Sequence, residues 1–169
     1  NNWNSVVINT ANQATNLSAV GLIDGNYKVY SVDAAGNLST VSTNGVTLDS
    51  IAPIASVTQA TIPNTGNAVV QSTETGTAYL VNSTVSVSNL SNITSAADNN
   101  WNSVVINTAN QATNLSAVGL IDGNYKVYSV DAAGNLSAVS TNSVVLDSVA
   151  PSIKTADGIV GTRTLLTNL

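Results

Sequence analysis

The 169-residue chain contains no cysteine and no histidine, and only 8% of its residues are charged. Without cysteine there is no disulfide framework and no thiolate metal site, and the redox compartment is left open. A serine nucleophile needs a general base such as histidine beside it, and the chain has neither histidine nor a cysteine nucleophile. We therefore predict no catalytic residues and no enzyme. Four Lys plus Arg against nine Asp plus Glu give a net charge of −5. No basic stripe is available for phosphates, and a nucleic-acid partner is not expected.

Long apolar runs are also missing. No stretch approaches the roughly 20 apolar residues that a membrane-spanning helix needs, so we expect no membrane insertion. An ordinary soluble domain is about 25% charged. Here Ser, Thr, Asn and Gly replace the missing charges, and the predicted surface is neutral and rich in hydroxyl groups.

The chain contains one long internal sequence repeat. Residues 1–39 are repeated without a change as residues 99–137, an offset of 98 residues. Beyond that phrase the copies differ at Thr40/Ala138, Gly45/Ser143, Thr47/Val145 and Ile51/Val149, and they part after Pro53/Pro151. A solenoid repeat has about 20 to 50 residues, whereas roughly 100 residues can close a core of their own. The offset therefore predicts tandem domains.

The recurring LDSIAP and LDSVAP sequences mark the predicted seams. They divide the chain into residues 1–49, the C-terminal half of one repeat, residues 50–147, one complete repeat, and residues 148–169, the start of a following repeat. We expect a window of a longer array, because half a β-sandwich has unpaired edges and half a core.

Short runs rich in β-branched residues alternate with Asn, Asp, Gly and Ser clusters, which predicts an all-β fold. The Ala-rich ANQATNLSAVG is predicted to be loop and short strand. The phrase GLIDGNY resembles the tyrosine corner of immunoglobulin-like sandwiches, with Tyr27 and Tyr125 in that role. In VDAAGN, a hairpin turn is predicted in which Gly36 and Gly134 adopt positive φ, and the preceding Asp bonds the turn backbone.

Taken in order, ETGTAYLV, DNNW, DGNYKVY, DAAGNLS and DS-x-AP resemble the tandem bacterial immunoglobulin-like repeats of giant secreted adhesins, of the RTX type or biofilm-associated. The resemblance covers the 98-residue unit and both end pieces up to Pro151. It implies all-β, tandem immunoglobulin-like β-sandwiches of about seven antiparallel strands each, arranged end to end. It also implies an extracellular location at the bacterial cell surface and calcium between domains. The type of domain after Pro151 stays open.

Loop placement predicts one metal site. In a seven-strand sandwich the entering linker, the B–C loop and the F–G loop lie at the same end. That brings Asp49, Glu74 and Asp131 together, and Asp24 of the preceding unit faces them, directly or through water. Carboxylate oxygens without His or Cys suit Ca²⁺. We therefore predict a structural Ca²⁺ site at this seam.

The equivalent acids Asp122 and Asp147 are predicted to contribute to a second metal site at the next seam, whose Glu partner would lie beyond Leu169. A competing interpretation is turn chemistry, because Asp in Asp-Gly and Asp-x-x-Gly is a common turn residue. It applies most directly to Asp24 and Asp131.

Three functions compete on this sequence. The first is a passive extender that holds an adhesive tip away from the cell and contacts only neighbouring repeats of its own chain. The second is a filament or sheath module, with lateral or end-to-end contacts between copies, because strand alternation leaves Tyr128 and Val130, like Tyr30 and Val32, at least partly exposed. The third is a sugar-binding module with Trp101 as the platform, although a core-edge Trp is the commoner role.

Overall fold

The computed structural model describes residues 1–152, and strands form nearly all of the regular structure there. The strands are β1 (Gly25–Tyr27), β2 (Val46–Leu48), β3 (Ala55–Val57), β4 (Ala60–Ile62), β5 (Asn67–Ser72), β6 (Gly76–Asn82), β7 (Trp101–Ile106), β8 (Thr113–Ser116), β9 (Gly123–Asp131) and β10 (Val144–Leu146). One helix, α1 (Leu90–Thr94), and one 3₁₀ turn (Asp98–Asn100) complete the elements of this part of the chain. The predicted all-β class is confirmed.

Two sheets share the main core. The larger has the strand order β4-β10-β9-β6-β7, and the smaller has the order β3-β5-β8. Strands β1 and β2 form a separate antiparallel pair. Within residues 1–152 every strand pairing is antiparallel except that of β4 with β10, where Ala60 lies opposite Val144 and Ile62 opposite Leu146. Purely antiparallel strands were predicted, and this pair departs from that. The chain leaves the smaller sheet after β3 and continues in the same direction along the edge of the larger one.

Alternation along the strands builds the core between these sheets. In β5, NAVVQS, every second residue is buried, and β9 begins with the same alternation. The buried apolar cluster comprises Ala55, Val57, Ala68, Val70, Ala78, Leu80, Ile106, Leu115, Ala117, Leu120, Tyr125, Val127, Val144 and Leu146. Both sheets contribute to it, and all of these residues lie between positions 55 and 146.

The local turn predictions are confirmed in both copies. The Tyr125 hydroxyl donates to the carbonyl of Ile121 at 2.8 Å, and Tyr27 makes the equivalent bond at 2.7 Å. In the following turn, φ is 94° at Gly134 and 88° at Gly36. These values lie in the region that L side chains rarely adopt, which explains why glycine stands there.

Helix α1 was not predicted. Asn89 caps it by accepting from the Asn92 backbone, and the Asn92 side chain accepts from the Asn89 backbone, so the two form a reciprocal capping box. Ile93 is its one buried residue. A five-residue helix is too short to display a 3.6-residue period, and Asn at both cap positions departs from the usual Ser/Thr and Glu signature. Strand β8 agrees with the short strand predicted for ANQATNLSAVG.

The predicted exposure of one strand face is wrong at one position. Tyr128 is half-buried, but Val130 is only 7% exposed. Val130 pairs with Leu136 across the turn that ends β9. This pairing does not account for the burial, because Val32 pairs with Leu38 in the same way and is 63% exposed. In the second copy β6 also lies beside Val130, with Thr77 opposite it. In the first copy, Tyr30 and Val32 are exposed as predicted.

Within residues 1–152, no helix is long and apolar enough to cross a membrane. Most of the predicted opening fragment, residues 148–169, lies outside the described part of the chain, which ends at residue 152.

Candidate metal centre

Three acidic side chains meet at one end of the larger sheet. Asp131 is the last residue of β9, Glu74 lies in the turn between β5 and β6, and Asp49 follows β2 directly. One carboxylate oxygen from each lies within 4.8 Å of the others. The structure thus brings together the three acids that loop placement had grouped. Oxygen donors with no nitrogen or sulfur ligand suit a hard cation such as Ca²⁺.

Asp131 is held ionised by its own turn. Its two oxygens accept from the Asn135 backbone at 2.9 Å and from the Asn135 side chain at 2.8 Å. Desolvation of this buried carboxylate by itself would raise its pKa. The hydrogen bonds from Asn135, together with the backbone groups of Gly134 and Ala133, outweigh desolvation and hold the pKa of Asp131 below its usual value. Turn chemistry and a ligand role are therefore compatible here.

Glu74 shows the opposite behaviour. Desolvation raises its pKa, and the negative charges of Asp49 and Asp131 raise it further. The ionised form of Glu74 is disfavoured in the folded chain, so protonation favours folding. The resulting destabilisation is fully present above the raised pKa and disappears as the pH falls to the unfolded-state value. A bound cation would reverse this preference, because it would favour the ionised carboxylate.

Asn135 ties the linker to the same end of the sheet. Its side-chain amide donates to the backbone carbonyl of Asp49 at 3.0 Å and to that of Ile51 at 3.5 Å. Pro53, two residues further on, is buried. The sequence analysis assigned no role to Asn135, although its place at the end of the repeated DAAGN sequence could have marked it as a residue with a structural role. This residue connects the Asp131 turn to the linker without any ion.

Asp24 does not contribute directly to the cluster. Its carboxylate accepts instead from the Ser50 hydroxyl at 2.8 Å. Asp122 is engaged in the same way, because the Ser148 hydroxyl donates to it at 2.7 Å. Among residues 1–152, the one group of three acids close enough to share an ion is the cluster around Asp131.

The Asp147 carboxylate shows only a local contact in the described part of the chain, while its backbone N–H donates to the Ile62 carbonyl at 3.0 Å. One of its carboxylate oxygens accepts from the Val149 backbone at 3.0 Å, as Asp49 does from Ile51. These contacts stabilise the start of each linker. The second seam predicted for Asp122 and Asp147 requires residues outside the described range.

Trp101 lies at the edge of the larger sheet. It is half-buried, and the centroid of its indole lies 5.9 Å from that of Tyr79 on the neighbouring strand. A flat platform for a sugar needs a free aromatic face. The contact with Tyr79 favours the core-edge role over the sugar-binding one.

No family model matches the chain, and no curated protein matches it at a significant level.

Proposed function

We propose that this chain is the structural repeat region of a large bacterial surface adhesin. In this proposal its tandem immunoglobulin-like β-sandwiches stand end to end, outside the cell, and hold an adhesive tip away from the surface. Ca²⁺ bound at the seam around Asp49 stiffens the array. The proposal rests most heavily on one observation, the convergence of a linker carboxylate with two carboxylates of the following unit.

The near identity of the two copies supports a spacer. Thirty-nine consecutive residues are unchanged between residues 1–39 and 99–137. A binding module is distinguished by its individual surface loops, whereas a spacer depends on the number of units it contains. Identical units with a neutral surface suit a role in which length is the function.

The linker geometry supports a stiff connection. From the preceding copy, Asp24 bonds Ser50, and from the following unit, Asn135 bonds the backbone of Asp49. Pro53 fixes its own φ and biases the residue before it to extended geometry. Both sides of the linker are therefore held before any ion binds. A cation shared by Asp49, Glu74 and Asp131 would add a further constraint.

Calcium binding is the first test. Isothermal titration of the 169-residue chain with Ca²⁺ is expected to show binding with a dissociation constant of about 10⁻⁴ to 10⁻³ M, the range of extracellular modules. Asp49→Ala and Glu74→Ala should each weaken binding by at least about tenfold, because each removes a ligand charge. Binding should also weaken as the pH falls through the raised pKa of Glu74, since the proton competes with the cation.

Asp98→Ala is the matched control. Asp98 is an exposed acid in the 3₁₀ turn, outside the cluster, and its removal should leave Ca²⁺ binding unchanged. If the parent chain shows no binding at millimolar Ca²⁺, or if all three variants bind alike, the acids are turn residues only. The proposal that Ca²⁺ stiffens the spacer would then be wrong.

The alternative function is a self-assembling module of an extracellular filament or sheath. Exposed apolar side chains such as Val69, Val105 and Val145 favour contacts between copies. Against this, the burial of Val130 leaves a narrower apolar stripe than the alternation predicted. Sedimentation at rising protein concentration separates the two functions, because a spacer does not associate with concentration.

A further inference from the structure

The two linkers meet the main core at opposite ends. At the entrance, just beyond the end of β9, the Asn135 side chain donates to the Asp49 carbonyl at 3.0 Å. At the exit, just before the start of β9, the Ser148 hydroxyl donates to Asp122 at 2.7 Å. The nine residues of β9 separate these points by about 26 Å, at about 3.3 Å per residue. A force that stretches the chain between its linkers therefore acts along the strands.

The strands that this force reaches include the parallel pair of the larger sheet. Strands β4 and β10 run in the same direction, with Thr61 opposite Val145. The Asp147 backbone donates to the Ile62 carbonyl at 3.0 Å and extends the pairing by one residue. The entering linker reaches β4 through β3, and the exiting linker follows β10 directly. Stretching pulls β4 toward the entrance and β10 toward the exit, so the two strands must slide past one another.

Strand β3 is loaded along its axis in the same way. It pairs with β5 over Ala55–Val57, and backbone bonds made by Ile54 and Thr58 extend the pair at both ends. The force enters at the N-terminal end of β3 and pulls the whole strand lengthwise against β5. Both strand pairs on the path between the linkers therefore resist stretching by shear.

Sliding and peeling separate paired strands in different ways. A slide of about 2 Å stretches a 3.0 Å bond to about 3.6 Å, beyond hydrogen-bond range, and it does so for every bond of the pair at once. Peeling breaks the residue pairs one after another, and each broken pair lengthens the chain by about 6.6 Å, one residue from each strand. Because force is work divided by distance, sliding needs several times the force to break the same bonds.

We propose that β3 and β4, held against β5 and β10, form a shear clamp that carries tension from one linker to the next. The clamp goes beyond the role of a spacer, because it concerns resistance to force and not length. An attached tip on a moving cell would load every linker of the proposed spacer, but the clamp itself depends on neither the tip nor Ca²⁺. Its signature is direction: the core resists stretching between the linkers more strongly than it resists peeling.

Single-molecule stretching of the full chain in two directions tests this, because the chain has no cysteine and introduced cysteines fix the points of attachment. Ile51→Cys with Val149→Cys loads the core from linker to linker, and both side chains are exposed. Ile121→Cys with Val149→Cys keeps the exit point but pulls β10 away from the start of β9, so the strands peel. At equal loading rate the first direction should need at least about twofold more force. EDTA is present throughout, which keeps the result separate from the calcium site.

A proline in β10 should weaken the clamp selectively. The N–H groups of alternate residues in a strand point to the same neighbour, so Val145, like Asp147, donates toward β4. Val145→Pro removes this donor at a position that is 38% exposed, where the ring stays out of the core. Leu115→Ala is the control, because Leu115 is fully buried in β8, outside the two loaded pairs.

Forced unfolding is governed by the unfolding rate and not by equilibrium stability, so the two quantities can change separately. Relative to its loss of stability in urea, Val145→Pro should lower the linker-to-linker force more than Leu115→Ala does. Equal forces in the two pulling directions would overturn the proposal, even if neither variant folded. A linker-to-linker force that follows urea stability alike in both variants would also overturn it, because no strand pair would then carry the load preferentially.

Discussion

Replacing Tyr125 with alanine is expected to lower the free energy of unfolding of the main core by about 3 to 5 kcal/mol. Tyr125 is fully buried, and its hydroxyl bonds the Ile121 carbonyl at 2.8 Å. The substitution leaves a cavity between the sheets and an unpaired acceptor. Because a domain of this size has about 5 to 15 kcal/mol of stability, the loss is a large fraction of the total. Urea unfolding followed by Trp101 fluorescence in a Trp3→Phe background measures the effect.

The repeat offers a matched control for this substitution. Tyr27→Ala changes the same residue in the same local sequence, but Tyr27 is only half-buried and lies outside the core. We expect it to change the unfolding of the main core by less than about 0.5 kcal/mol. Tyr125→Phe keeps the ring and loses only the hydrogen bond, about 1 kcal/mol. Equal effects of the two alanine substitutions would show that both copies share one core.

Gly76→Ala is expected to have the second large effect. Gly76 begins β6 opposite Asp131, with φ at 149°. A methyl group added there would lie 2.1 Å from the Val130 carbonyl oxygen and 2.9 Å from the Asp131 Cα. Both neighbours are backbone atoms and cannot rotate away. Strain at this φ and the displacement of β6 from β9 together cost about 3 kcal/mol or more.

Gly134→Ala separates these two contributions. Gly134 also has positive φ, at 94°, but an added methyl group would meet no atom within 4 Å. The substitution should lower the free energy of unfolding only through backbone strain at positive φ, by roughly 1 to 2 kcal/mol. Thermal or urea unfolding of both variants gives the comparison. If Gly76→Ala proved no more destabilising than Gly134→Ala, the close approach of β6 to the end of β9 would be incorrect.

Most of the features that sequence reasoning found are local ones. Tyr125 and Gly134 were identified because a tyrosine corner and an Asp-x-x-Gly turn are written in a few consecutive residues, and their geometry follows from short-range sterics and hydrogen bonds. The all-β class followed from β-branched runs between turn signals. The meeting of Glu74 with Asp131 was predicted from loop placement in an assumed seven-strand sandwich, and the two carboxylates do lie close together in the structure.

The features that were missed depend on contacts distant in sequence or on unusual local chemistry. Helix α1 rests on an Asn89 and Asn92 capping box that the common signature does not include. Val130 is buried, whereas Val32, with the same local sequence and the same pairing to a leucine, is 63% exposed, so the burial depends on residues outside the repeated sequence. The bond from Asn135 to the Asp49 backbone spans 86 residues, and no pattern of spacing indicates it.

The distance between the two copies tests the calcium-stiffened spacer most directly. Val20→Cys and Val118→Cys place spin labels at equivalent exposed positions one repeat apart, in a chain without other cysteines. Double electron–electron resonance should give one narrow distance distribution with Ca²⁺ and a broader one with EDTA. Glu74→Ala should give the broader distribution in both conditions. Distributions of equal width with Ca²⁺ and with EDTA would contradict the account.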